Sequence, residues 1–136
     1  IYAAPLFRIH LLGEVHRLLL EQSGQCDDYQ KDHQQRDRIT NGALWQLRGA
    51  GIEKEEVDFY LLHQANRRII SAAVKRLGLE EERFPMNMEE YGNTSAASIP
   101  ILLYEENRRG KLKKDSLLVL SGFGGGLTYG ASLLRW

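Results

Sequence analysis

The feature that most constrains the fold is an apolar run followed at once by a helical pattern. All of residues 57–62 except Asp58 carry apolar side chains, which would point to both faces of a strand, as in a central strand that is covered on both sides. From Ala65 onward, apolar residues recur at helical spacing to about Leu77, and Gly78 is a natural stop. The pattern predicts that His63 lies where a strand ends and a helix begins.

The rest of the chain alternates in a similar way, which favours an α/β fold. Helices are predicted over residues 6–20, 39–49 and from the small residues at 94–98 to about residue 103, and strands over residues 84–88, 117–120 and 127–134. Residues 21–38 are almost wholly polar and predict a linker or an exposed loop. Pro100 would remove one backbone donor inside its helix and bend that helix.

Composition argues against several classes of protein. A length of 136 residues suits one domain, and the 18 basic and 18 acidic side chains cancel, which argues against a general nucleic-acid partner. No stretch is apolar enough for a membrane span, so we expect no membrane association. The single cysteine, Cys26, precludes an internal disulfide and fits a reducing cytoplasm. The spacing of His10, His16 and His33 predicts no metal site.

Three features could converge on one site: His63, Asn93 and the glycine-rich residues 122–126, which are predicted to form a turn. His63 and Asn93 are both predicted at strand-to-helix junctions, and neighbouring parallel strands would bring such junctions together. An imidazole N–H and a carboxamide N–H aimed at one point make an oxyanion hole, and a glycine turn adds unobstructed backbone N–H groups. Such a site suits acyl chemistry in which a carbonyl oxygen gains negative charge.

The state of His63 follows from its predicted place. The positive potential at a helix N-terminus disfavours imidazolium, so His63 should stay neutral and donate one hydrogen bond while the backbone holds its other nitrogen. No general base stands out near the junctions. Simpler interpretations are also open: His63 could be a structural donor, Asn93 a helix N-cap, and residues 122–126 only a hairpin turn.

Three motifs resemble the C-terminal half of β-ketoacyl-acyl carrier protein (ACP) synthase III, a family of thiolase-like condensing enzymes. The motifs are His-Gln-Ala-Asn at 63–66, Tyr-Gly-Asn-Thr-Ser-Ala-Ala-Ser at 91–98 and Gly-Phe-Gly-Gly-Gly-Leu-Thr-Tyr-Gly at 122–130. The resemblance implies that residues 36–136 form the C-terminal domain of a thiolase-like fold, with a mixed sheet and helices on its faces. Residues 1–35 match nothing in the family and are left as an unassigned N-terminal segment and polar linker.

The resemblance also implies an activity. The family joins an acyl-CoA starter to malonyl-ACP by decarboxylating Claisen condensation in fatty-acid or related polyketide biosynthesis, with no cofactor beyond its CoA and ACP thioester substrates. His63 and Asn93 match the His and Asn of its Cys-His-Asn site. Cys26 lies in an acidic Gln-Cys-Asp-Asp context that disfavours a thiolate, so we expect the nucleophilic cysteine to lie outside these residues.

Further residues match functional positions of the family. Gly125 matches a backbone oxyanion donor towards the acyl-cysteine, and Phe123 the apolar wall beside it. Arg68 matches a basic residue that contacts ACP or the CoA phosphates. Three residues match positions that line the pantetheine channel: Ala65, Asn66 and Ile69.

The resemblance implies an assembly as well. The family forms homodimers, so we expect this cytoplasmic segment, inactive alone, to dimerise or to associate with an N-terminal thiolase-fold half. Two alternatives stay open. The chain could be a non-catalytic thiolase-fold subunit or fragment with a binding or structural role, or it could belong to a related synthase that acylates a non-ACP acceptor.

Overall fold

The computed structural model of the protein describes residues 28–125 and 128–136. In chain order the elements are α1 (Asp28–Ala50), β1 (Phe59–Leu62), α2 (Arg67–Leu77), α3 (Met88–Tyr91), α4 (Ser98–Arg108), β2 (Leu117–Gly124) and β3 (Thr128–Arg135). Short 3-10 turns cover Lys54–Glu56, Glu81–Arg83 and Ser95–Ala97. The helix predicted over residues 6–20 lies outside the described residues.

The three strands form a mixed sheet in the order β1-β2-β3. β1 pairs parallel with β2, with Phe59 opposite Leu118, and β2 pairs antiparallel with β3, with Leu117 opposite Arg135. A parallel pair needs a long crossover, which here includes α2 and α4. The predicted strand–helix alternation and mixed sheet are confirmed.

Two apolar clusters cover the two faces of the sheet. Tyr60 and Leu62 of β1 pack with α1 and α2 on one face. Leu61 and Leu118 pack with Leu102 of α4 on the other. The prediction that the first strand is covered on both faces is confirmed, because alternate side chains meet different helix layers. Its predicted central position is wrong within the described sheet, where β2 is the middle strand.

Helix α1 corrects the predicted loop. Ile39, Ala43 and Leu47 recur every fourth residue and are 0–2% exposed, which confirms the helix predicted over residues 39–49. The loop predicted over residues 21–38 is wrong for residues 28–38, which are the first part of the same helix. No glycine or proline interrupts that polar stretch, so the helix anchored by its apolar half extends through it.

The segment between α2 and α4 also differs from its prediction. No strand covers residues 84–88: Phe84 is 1% exposed and stacks on Tyr60 with ring centroids 4.8 Å apart, and Pro85 has no N–H for a ladder. Pro100 does not interrupt a helix, because α4 begins at Ser98. Pro100 therefore lies in the first turn, where a backbone N–H has no helical partner.

Across residues 28–125 and 128–136, none of the helices is both long enough and apolar enough to cross a membrane.

Two glycines at helix ends predict opposite effects of the same substitution. Gly78 ends α2 at φ +65°, so Gly78→Ala should lower the free energy of unfolding by about 1 kcal/mol through left-handed backbone strain. Gly49 lies in the last turn of α1 with open space at its Cβ position, so Gly49→Ala should raise that free energy by about 0.5–1 kcal/mol. Urea denaturation of both variants checks the pair, and a shift of the same sign in both would contradict it.

Candidate active site

The pairing of β1 with β2 places His63 beside the glycine-rich segment. The last β1–β2 pair is Leu62 with Ser121, and the His63 N–H then donates to the Ser121 carbonyl at 2.9 Å. The His63 ring meets Phe123 edge-on, with centroids 5.5 Å apart and planes 69° apart. Residues 122–124 are therefore the end of β2. The turn predicted over residues 122–126 is wrong for these three residues.

The surroundings of His63 differ from the expected helix N-terminus. Helix α2 begins only at Arg67, and Asn66 caps it by accepting a hydrogen bond from the Arg68 N–H at 2.8 Å. Burial lowers the pKa of His63, because desolvation disfavours the charged ring. The sequence had predicted a neutral ring for a different reason, the potential of a helix N-terminus. The His63 Nδ1 lies 2.6 Å from the Ser98 hydroxyl and is therefore not held by backbone.

Asn93 lies in the turn between α3 and α4 and does not follow a strand. Asn93 was predicted to meet His63 because both would follow parallel strands. That prediction is wrong for Asn93, which follows helix α3. The Asn93 Oδ1 accepts a hydrogen bond from the Ser95 N–H at 2.9 Å, while Ser95 has a left-handed φ of +53°. Among the described residues the Asn93 Nδ2 group has no acceptor, so the oxygen can organise the turn while the amide remains able to donate.

A cleft of about 690 Å³ brings these parts together. It is lined by His63 and Ala65 after β1, by residues from Asn93 to Ile99 before and within α4, and by residues from both sides of the β2–β3 hairpin. Five of the residues singled out from the sequence lie on its wall: His63, Ala65, Asn93, Phe123 and Gly125. The described lining contains no carboxylate.

The other three predicted residues lie outside this lining. Asn66 and Arg68 are exposed at the start of α2. Ile69 is 4% exposed and packs in the core beneath that helix. Their roles towards pantetheine and the carrier protein stay predictions.

Sequence reasoning missed Gln64, which joins the His63 segment to the Asn93 segment. Gln64 is 1% exposed; its Nε2 donates to the Leu62 carbonyl at 2.8 Å and its Oε1 accepts from the Asn87 N–H at 3.2 Å. The Asn87 side chain and the Tyr91 hydroxyl both donate to Glu105 of α4 at 2.9 Å. These two hydrogen bonds lower the pKa of Glu105. The only signal in the sequence was the position of Gln64 inside the first motif.

Sequence reasoning also missed Ser98. It is the first residue of α4, is 2% exposed and lies on the cleft wall against His63. Within the part of the chain that the structure describes, no group of three or more His, Cys, Asp and Glu side chains could hold a metal ion.

Residues 47–136 match the protein family described as 3-oxoacyl-[acyl-carrier-protein (ACP)] synthase III C terminal. The chain belongs to this family. The match contains all three motifs on which the resemblance was based, and it confirms that resemblance. The predicted division at residues 35 and 36 stays a prediction; it falls inside α1, before the matched residues.

Named relatives agree with the match. The beta-ketoacyl-[acyl-carrier-protein] synthase III of Geobacillus kaustophilus is 56% identical over 90 residues, which are 66% of this chain and 29% of that protein. The synthase III 1 of Bacillus cereus is 48% identical over 99 residues, 73% of this chain and 32% of that protein. The chain thus spans about a third of the length of these relatives.

A solved structure gives the same answer for the fold. The crystal structure of 3-oxoacyl-[acyl-carrier-protein] synthase III from Aquifex aeolicus is similar with a TM-score of 0.78 and 39% sequence identity, over 82% of this chain and 36% of that chain. The predicted thiolase-like α/β fold is confirmed.

The hydrogen bonds of Gln64 predict a cost when they are removed. Gln64→Met keeps the length of the side chain but leaves the Leu62 carbonyl and the Asn87 N–H without their partner. We expect the free energy of unfolding to fall by about 2–3 kcal/mol. Gln46→Met is the matched control, because Gln46 is half-buried on α1 with no side-chain hydrogen bond among the described residues; it should change stability by less than about 0.5 kcal/mol. Urea denaturation measures both, and equal effects would contradict the prediction.

The lowered pKa of His63 predicts a pH dependence of stability. Because burial disfavours the charged ring, the unfolded chain binds this proton more readily than the folded chain. The stability from neutral His63 is therefore complete above its ordinary pKa of 6.5 and is lost as the pH falls through the lowered value. Urea denaturation between about pH 7.5 and pH 5 should show a larger loss for wild type than for His63→Gln. Equal losses would contradict this.

Proposed function

We propose that this chain is the C-terminal part of an acyltransferase that condenses an acyl-CoA starter with malonyl-ACP, with loss of CO₂, in fatty-acid or related polyketide biosynthesis. One observation carries the proposal: His63 and Asn93 line the same cleft in a chain of the synthase III family. The names of the relatives, beta-ketoacyl-[acyl-carrier-protein] synthase III, support it.

The chemistry of the cleft fits a decarboxylating condensation. Loss of CO₂ from a malonyl thioester leaves an enolate, with negative charge on the thioester oxygen. The imidazole N–H of His63 and the Nδ2 group of Asn93 are the donors that stabilise this oxygen, and each such donor contributes about 10²–10³-fold in rate. Decarboxylation produces the carbanion without proton abstraction, which agrees with a described lining that contains no carboxylate.

The second half of the reaction needs an acyl-cysteine. In the proposed reaction the enolate carbon attacks the acyl thioester, a carbon–carbon bond forms and the cysteine thiolate leaves. The cysteine comes from outside these residues, and no cofactor takes part. The Gly125 N–H is the proposed oxyanion donor towards the acyl-cysteine, with Phe123 as the apolar wall. The pantetheine arm is proposed to run past Ala65 and the exposed Asn66, while Ile69 packs in the core beneath them.

The surface supports the proposed partners. Arg68 is exposed and, among the described residues, has no ion-pair partner, whereas Arg67 pairs with Glu89 at 2.6 Å. Arg68 is therefore the cation that we assign to the acidic carrier protein. Leu120 and Leu134 are only partly buried on the α4 face of the sheet, a surface suited to an N-terminal thiolase-fold half. We further propose that the complete protein is a homodimer located in the cytoplasm.

A second candidate follows from the cysteine content. The one cysteine, Cys26, precedes the matched residues 47–136 and has acidic neighbours. A chain without a nucleophile of its own could act as a non-catalytic thiolase-fold subunit with a binding or structural role. In a third version the same His63–Asn93 cleft serves a related synthase that acylates a non-ACP acceptor.

The test uses the complete protein that contains this chain, assayed with a panel of acyl-CoA starters and malonyl-ACP. His63→Ala and Asn93→Ala should each lower the condensation rate by about 10²–10³-fold, because each removes one donor to the enolate oxygen. Asn41→Ala is the control for Asn93→Ala, since Asn41 is an exposed amide of α1 that bonds to Arg76 away from the cleft. It should retain the wild-type rate.

Full activity in the double variant His63→Ala/Asn93→Ala would overturn the proposal. Intact-mass measurement after exposure to acyl-CoA separates the candidates. An acyl adduct on the segment that supplies the cysteine supports catalysis, and its absence from every chain supports the non-catalytic role. Product formation without any need for malonyl-ACP supports the different acceptor.

A further inference from the structure

The hydroxyl of Ser98 contacts both His63 and the residue that follows it, Gln64. Ser98 is the first residue of α4 and is 2% exposed. Its Oγ lies 2.6 Å from the Nδ1 of His63 and accepts a hydrogen bond from the Gln64 N–H at 3.3 Å. One buried hydroxyl thus contacts both the His63 ring and the backbone N–H of the next residue, Gln64.

Counting protons around this hydroxyl distinguishes the two tautomers of His63. A serine hydroxyl has one proton to donate and two lone pairs to accept with. If His63 carried its proton on Nδ1, both neighbours would donate to Ser98, and the hydroxyl proton would have no acceptor among the described residues. If Nδ1 is the unprotonated nitrogen, Ser98 donates to it, and every group in the contact is satisfied.

We propose that Ser98 is a positioning residue that donates its hydroxyl proton to the Nδ1 of His63 and thereby fixes the imidazole proton on Nε2. Nε2 is then the ring nitrogen left to serve the cleft, and it serves it as a hydrogen-bond donor. The ring also packs edge-on against Phe123, with centroids 5.5 Å apart. This inference rests on the proposed function, because an Nε2–H is what an enolate oxygen requires.

The identity of the partner matters as much as its position. A carboxylate at Nδ1 would favour imidazolium and make His63 a proton acceptor towards the substrate. A neutral hydroxyl fixes the tautomer without adding negative charge. Ser98 thus suits a histidine that stabilises a charge and does not abstract a proton.

Long-range proton–nitrogen NMR of the full chain, labelled with ¹⁵N-histidine and held above the histidine pKa, reads the tautomer directly. The His63 signals are assigned by their loss in His63→Gln. In the wild type we expect an unprotonated Nδ1 and a protonated Nε2. Ser98→Ala should move both nitrogen shifts towards the values of a tautomer mixture, and Ser98→Thr, which keeps the hydroxyl, should restore them.

Ser116→Ala is the matched control. The Ser116 hydroxyl accepts a hydrogen bond from the Lys113 N–H at 3.1 Å, so its loss copies the backbone contact of Ser98 without touching a histidine. It should leave the His63 shifts unchanged. A protonated Nδ1 in the wild type, or unchanged shifts in folded Ser98→Ala, would overturn the inference.

Kinetics of the complete protein give a second readout. Ser98→Ala should lower kcat about tenfold with little change in KM for malonyl-ACP, because the donor is misplaced while the binding surface remains. Ser98→Thr should recover most of the loss. An Nε2–H tautomer that persists unchanged in folded Ser98→Ala removes the role of Ser98 and leaves the proposed function standing. Full activity of the His63 and Asn93 variants removes the proposed function and leaves the tautomer result standing.

Discussion

The hydrogen bond from the His63 N–H to the Ser121 carbonyl, one step beyond the last β1–β2 pair, is the constraint on which the cleft depends. A parallel ladder fixes which residues lie side by side, so this bond sets His63 next to the end of β2. That register also fixes the positions of the Phe123 ring beside His63 and of the exposed Gly125 just after β2. Apolar clusters on both faces hold the ladder in place, so the geometry of the cleft depends on the same contacts that make the core.

The other wall of the cleft is held differently. Asn93 follows a short helix, and side chains connect its segment to the ladder: Gln64 bonds to Asn87, and Asn87 bonds to Glu105 of α4. Ser98 then brings the start of α4 onto the His63 ring. One donor is therefore positioned by backbone pairing and the other by a partly buried polar network, in which the loss of Gln64 would leave the buried Asn87 N–H without its partner.

Local periodicity explains which elements could be predicted. The buried faces of α1 and α2 and the buried strands β1 and β2 were predicted because the spacing of their apolar residues records burial. The errors have particular causes. Residues 28–38 are polar yet helical because an anchored helix extended through them, and Phe84 resembled a strand residue although it is a single ring stacked on Tyr60. Gly122 did not end β2, because β3 continues to pair with that strand as far as Gly124.

The sequence by itself determined the family, the α/β class and the residues to inspect, because His63, Asn93 and the glycine-rich segment lie in motifs within the matched residues and their residue types suit the proposed chemistry. Only the tertiary structure decided how these residues meet and in what state. The sequence order gives no sign that Ser98 approaches the His63 ring from a helix 35 positions away, or that Gln64 joins the two walls. Those contacts arise from packing between distant segments, which no local pattern encodes.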